Sequence, residues 1–334
     1  LRHFENAIRM GKISHAYIIN GEEGSGKMNL AIHFAKALQC ERNNSNKAIN
    51  EDGERITVPG TACGQCKSCK QTDSKNQPDI KYITYEKSGI GVDEIREQIN
   101  DDIDIKPYSS PYKIYIVPES EKMTVQAQNA LLKTIEEPPE YAIIILLTTN
   151  ADTFLQTILS RCVMLNIRPV KEDIIKNQLT SQYGVGDYEA RVAATFSNGN
   201  PGKAIKLATS EEFKELKQYV VGMFMSLEKG GMDIIGEAIK KTGTFKKQID
   251  EYFSLMRIWF RDILVYKATK EEDQIIFQDE YMTIEKMSQT YSFDDINDIL
   301  KAIDLAESRI KSNVNFDSTI EILLLSIKEK TSGK

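Results

Sequence analysis

Residues 21–28, G-E-E-G-S-G-K-M, constrain this 334-residue chain more than any other segment. They follow the apolar run Ala16–Asn20 (AYIIN) and open a helical pattern that reaches about Gln39. Glycines at this spacing let the backbone turn tightly, and the N–H groups of loop and helix start form a positive cradle for phosphate. Gly24, Gly26 and Lys27 are the candidate nucleotide-binding residues, with the lysine reaching the terminal phosphates. The motif requires a hydroxyl after that lysine to hold Mg²⁺. Met28 stands there, and a thioether cannot do the job. The segment therefore predicts a phosphate-loop fold and argues against hydrolysis. A Gly-rich turn with no phosphate history is the plainer alternative.

The residues downstream of the loop agree with such a fold. Strand patterns at 80–85 (IKYITY), Lys113–Val117 (KIYIV), Ala142–Thr148 (AIIILLT) and 162–167 (CVMLNI) alternate with helical patterns at 92–102 and 124–137. The continuous apolar run Ala142–Thr148 is expected to be buried on both faces, as in a parallel sheet. Strand alternating with helix predicts an α/β sheet with helices on both sides. An ATPase needs an acidic pair at the end of one strand, and the equivalent stretch reads KIYIVPESEK, with Pro118 where the first acid belongs and Glu119 after it. Both metal-holding positions are thus altered, which predicts a site unfit for efficient turnover. Thr148, Thr149 and Asn150 occupy a position from which a polar side chain can touch phosphate, or serve only structure. After about Pro169 the strand signal ends. Short helices, an SNGNPG turn and longer amphipathic helices, including 249–267 and 296–310, occupy the rest of the chain.

Five cysteines are too few for a disulfide scaffold, and three of them read C-G-Q-C-K-S-C at Cys63, Cys66 and Cys69. With Cys40 they make a set of four thiols whose spacing suits tetrahedral zinc in a closed structural site. Free or redox-active thiols are the alternative. The polar stretch 41–62 reads as an insertion before this knuckle, and Cys162 as a lone buried hydrophobe. Lys+Arg 43 against Asp+Glu 49 gives a formal charge of -6, which argues against a uniformly basic nucleic-acid binder. No apolar run is long enough for a membrane span. The opening LRHFENAIRM reads as an amphipathic helix rather than a secretory leader, so a cytoplasmic setting is expected. The chain does not open on Met, which fits numbering that starts inside a longer native chain.

Several of these pieces together resemble the delta-prime subunits of the bacterial DNA polymerase III clamp loader, relatives of the AAA+ proteins. They are HAY at 15–17, the altered phosphate loop, the four cysteines, NALLKTIEEPP at 129–139, TTN at 148–150, ILSRC at 158–162 and GNPGKA at 199–204. The resemblance implies an AAA+ domain over 1–168 carrying a zinc module at about 40–70. It further implies a small helical lid domain over 169–208 and an all-helical collar over 209–334. It implies a hetero-pentameric ring with gamma/tau motor subunits and a delta subunit, acting on a sliding clamp and primed DNA. Structural zinc is the implied cofactor, while ATP or ADP can occupy the loop without being required. Motor subunits of the family keep a full phosphate loop, an acidic pair and a sensor arginine; this chain has Met28, Pro118 and Gly202 at those positions. A non-hydrolysing subunit is therefore the implied function, and an active gamma/tau-like ATPase the alternative. The arginine of the family's SRC motif, here Arg161, projects into a neighbour's ATP site; a purely local ion pair is the competing role. Ser160 is expected to orient the loop.

Other features take plain readings. Leu131, Leu132 and Ile135 are expected in the core, and Glu136 and Glu137 as solvated charges or interface contacts. Tyr252, Phe253, Trp259 and Phe260, at helical spacing, are expected in the core or a collar interface. The histidines His3, His15 and His33 are assigned no chemistry. Acidic Glu51, Asp52 and Glu54 argue against a DNA-binding knuckle.

Overall fold

A computed structural model describes residues 2–44, 60–86, 89–229 and 233–332. The chain divides into two compact units, Leu1–Pro169 and Val170–Lys334.

The first unit is built on five parallel strands, β1 (Ala16–Asn20), β2 (Ile80–Tyr82), β3 (Lys113–Val117), β4 (Ala142–Thr148) and β5 (Val163–Asn166), in the order β2-β3-β4-β1-β5. Side chains alternate between two apolar layers, as a period of two requires. Ala16, Ile18, Tyr115, Val117, Ile144 and Leu146 face one layer, and Tyr17, Ile19, Ile114, Ile116, Ile145 and Leu147 the other. Helices cover both faces. Lys27–Leu38 and Arg2–Met10 lie on one side, with Phe34 stacked on Phe4 at 3.8 Å between centroids. Val125–Glu136 lies on the other, where Leu131 and Ile135 are buried and Leu132 half-buried.

Three sequence expectations shift in detail. The strand expected over 80–85 ends at Tyr82, because Gln98 takes over the backbone at Thr84, donating to its carbonyl at 2.7 Å and accepting from its N–H at 3.0 Å. The helix expected over 92–102 runs from Val92 to Ile103 but widens into a π turn at Arg96–Asn100. Thr124 stands outside the helix expected over 124–137 and caps it, accepting from the Ala127 N–H. Most of the polar insertion, including Glu51, Asp52 and Glu54, lies outside the described residues; Glu41–Asn44 is a short helix.

The second unit is helical throughout its described residues: Glu172–Tyr183, Asp187–Phe196, Pro201–Thr209, Glu211–Lys229, Asp233–Thr244, Ile249–Thr269, Tyr281–Thr290, Phe293–Lys311 and Phe316–Ser332. Its apolar centre is the Ile249–Thr269 helix, whose Tyr252, Phe253, Trp259 and Phe260 are fully buried. No described helix is long and apolar enough to cross a membrane.

Within each unit a carboxylate ties separate segments together. In the second, Asp262 is fully buried and accepts from the N–H groups of Ile276 and Phe277, both at 2.8 Å, and from Arg261 at 2.7 Å. Replacing Asp262 with Ala leaves two buried amides unpaired and is expected to destabilise the protein by about 2–5 kcal/mol in denaturant unfolding. In the first, Asp102 bonds Lys113 at 2.8 Å, Lys81 at 2.7 Å and the Tyr115 hydroxyl at 2.8 Å. Burial pushes its carboxyl upward, but hydrogen bonds from Lys113, Lys81 and Tyr115 outweigh that and hold it below the usual range. A depressed carboxylate stabilises the fold above its unfolded pKa and loses that contribution as pH falls through the folded value. Asp102→Asn should therefore lower the urea midpoint at pH 7 by an amount worth roughly 1–3 kcal/mol. The gap should narrow below about pH 4.

Candidate functional site

The sheet order puts the ends of β1, β3 and β4 side by side, and the phosphate loop, Pro118 and Thr148 meet there. The loop leaves β1 at Gly21, whose N–H donates to the Thr148 carbonyl at 3.1 Å. Gly26 caps the Lys27–Leu38 helix at φ 89°, a left-handed conformation that favours glycine, and offers no capping side chain. The first N–H groups of this helix thus remain open to an anion. A cleft of about 590 Å³ lies over them, lined by Gly24, Gly26, Lys27, Met28, Pro118 and Glu121 among others.

Lys27 is turned onto its own loop. Its ammonium donates to the carbonyls of Gly21 at 2.5 Å and Glu22 at 2.9 Å, and burial lowers its pKa. Across the cleft, Pro118 ends β3 and supplies no oxygen. Glu119 follows with φ 47°; its carboxylate takes the Tyr85 hydroxyl and lies 3.1 Å from Lys122. Those two bonds, Tyr85 first, hold it below the usual carboxylate range. Glu121 accepts from the Thr149 hydroxyl at 2.8 Å. Thr148 is buried and bonded to Asn150, and Asn150 caps the next turn through Asp152. A nucleotide phosphate fits this cradle in part, because the helix N–H groups remain and the Ser25 hydroxyl is buried without a partner. A magnesium ion does not fit: Met28 and Pro118 stand at its two ligand positions. The arrangement can hold an anion, and the carboxylates of Glu119 and Glu121 line the same cleft.

Arg161 lies in the short link between the Gln156–Leu159 helix and β5. Its Nη1 donates to the Thr157 carbonyl at 3.1 Å and to Ser160 Oγ at 3.2 Å, and its Nη2 is 3.0 Å from Glu136 Oε1. Both partners of this ion pair are solvent-exposed, so it contributes only about 0–1 kcal/mol. Ser160 Oγ, expected to orient the loop, donates to the Thr157 carbonyl at 3.1 Å as well as accepting from Arg161, and Glu136 is an ion-pair partner rather than a solvated charge. Cys162 is half-buried rather than fully buried, and packing against the sheet pushes its thiol up to about 12.

The four cysteines converge: the Sγ atoms of Cys40, Cys63, Cys66 and Cys69 all lie within 4.8 Å of one another. Cys40 follows the Lys27–Leu38 helix, and Cys66 caps the Lys67–Asp73 helix, its sulfur accepting from the Cys69 N–H. Gly64 makes the turn between them at φ 73°. N–H groups of Gln65 and Cys66 point at Cys63 Sγ at 3.5 and 3.4 Å and bring its thiol down to about 6, favouring the thiolate a metal binds. Burial acts oppositely on Cys69. Cys63 and Cys69 sulfurs are 3.9 Å apart. Four thiolates at about 2.3 Å from a tetrahedral zinc stand roughly 3.8 Å from one another, so the set fits the ion.

Sequence reasoning named the loop, Met28, Pro118, Arg161 and the cysteines. It missed Glu136 as the partner of Arg161, the Tyr85–Glu119–Lys122 cluster and the capture of Lys27 by its own loop. All three join positions far apart in sequence or depend on how a backbone carbonyl points, and neither leaves a pattern.

Comparison with known proteins identifies the family. Residues 1–171 match the family model described as "DNA polymerase III, delta subunit", and residues 236–329 the model of its C-terminal part. The chain is 27% identical to DNA polymerase III subunit delta' of Bacillus subtilis over 97% of its own length and 94% of that protein's. It is 33% identical to subunit tau of the same organism over 61% of its length, spanning 34% of that longer protein. A gamma-subunit-related protein from Thermotoga maritima aligns over 98% of this chain and 99% of its own, with TM-score 0.40 and 22% identity. With more than half its length matched by the family model, and the delta' relative aligned from end to end, the chain belongs to the DNA polymerase III delta-subunit family, among its delta-prime clamp-loader members.

Proposed function

We propose that this clamp-loader subunit does not hydrolyse ATP and works as a stator, completing a neighbouring motor subunit's ATP site with Arg161. The observation that carries this reading is the cleft at the phosphate loop. Met28 and Pro118 remove both metal ligands, and Lys27 is bonded to the carbonyls of Gly21 and Glu22. Arg161 is exposed, which supports a role outside its own chain. A guanidinium supplied in trans neutralises charge developing on the transferred phosphoryl group, an effect of about 10³–10⁵ in rate. Arginine suits it because the planar fork is permanently charged and binds oxyanions bidentately.

In this reading the partners are gamma/tau motors and a delta subunit in a hetero-pentameric ring, acting in the cytoplasm on a sliding clamp and primed DNA. Residues 169–208 serve as a lid and 209–334 as the collar that joins the ring. Cys40, Cys63, Cys66 and Cys69 hold one structural zinc, which supplies no chemistry but fixes the knuckle. Nucleotide bound without turnover at Gly24, Gly26 and Lys27 is compatible with this role.

The test is DNA- and clamp-stimulated ATP hydrolysis by a loader reconstituted with its partner subunits. Arg161→Ala is expected to lower the rate with assembly intact, by about 10³-fold or more at the one site it completes, and Lys27→Ala to leave it unchanged. An equal loss in Lys27→Ala means that the chain turns over ATP itself. For the metal, elemental analysis should find about one zinc per chain. Cys69→Ala should lose it together with several kcal/mol of stability, on the order of part of the binding energy of a structural site.

A further inference from the structure

The Glu136–Arg161 contact joins two elements whose positions the core fixes. Glu136 is the last residue of the Val125–Glu136 helix, anchored by Leu131 and Ile135. Arg161 follows the Gln156–Leu159 helix, anchored by Ile158, which is fully buried. A long side chain held from a rigid base still samples many rotamers unless its head is tied. Here the head is tied on one side only. Nη1 is taken by Thr157 and Ser160, and one N–H of Nη2 by Glu136. Of the five guanidinium N–H groups, the Nε–H and one on Nη2 have no partner among the described residues and are left to receive an oxyanion.

We propose that Glu136 is a positioning residue for Arg161, holding the guanidinium so that its open edge is presented to an anion outside the chain. The proposal rests on the reading of Arg161 as a donor to a neighbour's ATP site. Glu136 acts through the arginine. Because both side chains are exposed, the pair biases the rotamer population modestly, on the order of two- to five-fold. A phosphate of higher charge then competes successfully for the remaining donors while the carboxylate keeps its hold on Nη2. The Thr157 and Ser160 contacts limit the loss when Glu136 is removed, so its effect must be far smaller than that of the arginine.

The experiment uses the complete reconstituted loader, with assembly followed by size-exclusion chromatography. Glu136→Gln keeps the side chain's size and removes its charge; Glu136→Ala removes both. Each is expected to lower kcat by about two- to five-fold with KM for ATP unchanged. On an Arg161→Ala background Glu136→Gln should cost nothing further, since nothing remains to position. The proposal is overturned if Arg161→Ala collapses the rate while the Glu136 variants match or exceed the unmodified loader. It is equally overturned if Glu136→Gln slows the Arg161→Ala loader by the same factor as the unmodified one. If Arg161→Ala itself leaves the rate intact, the failure lies with the arginine's role in trans.

Discussion

Everything at the site depends on the parallel pairing of β1, which is buried on both faces, with β4 on one side and the edge strand β5 on the other. The register sets Asn20 beside Thr148 and Asn166, so the chain leaves three neighbouring strands at one edge. A slip of one residue would turn Ile18 and Ile19 to the wrong layers and misalign those exits. Burial of large aliphatic side chains on both faces, each contributing about 1.5–3 kcal/mol, makes that slip prohibitive. The cleft therefore survives as geometry even where its chemistry has changed.

That separation of geometry from chemistry explains the altered residues. A loop that still turns correctly and a helix that still points its N–H groups at the cleft preserve the shape a neighbour would meet. Met28 packs against the apolar layer instead of reaching for a metal. Lys27 donates to the carbonyls of Gly21 and Glu22 in its own loop. Glu119, the remaining half of the acidic pair, is bound to Tyr85 and Lys122. Lys27, Glu119 and Glu121 thus each have a local partner.

Much of this was legible in the sequence, and for physical reasons. The unbroken apolar run Ala142–Thr148, the glycine spacing before Lys27 and the C-x₂-C-x₂-C run each impose a local geometry that few folds satisfy. The buried aromatic row of the Ile249–Thr269 helix was equally plain from its period. What stayed hidden are polar groups whose partners come from elsewhere in the chain. Asp262 sits among aromatic residues but reads as an ordinary helix-surface acid until the Ile276 and Phe277 amides are brought to it. Glu136 reads as a solvated helix end until the link into β5 delivers Arg161. The early end of β2 likewise depends on Gln98, a side chain from the following helix.

The Lys27–Leu38 helix begins at the phosphate loop and ends just before Cys40 and the knuckle. Lys36 bonds Asp73 at 2.6 Å near that far end. A helix of this length normally frays at its last turn, and its amides there exchange readily with solvent. Here the final turn is joined to a second helix by that pair, whose Asp73 side is exposed, so the tie contributes about 0–1 kcal/mol. The loop and the knuckle thus stand at opposite ends of one helix, about 18 Å apart by about 1.5 Å of rise per residue over its 12 residues.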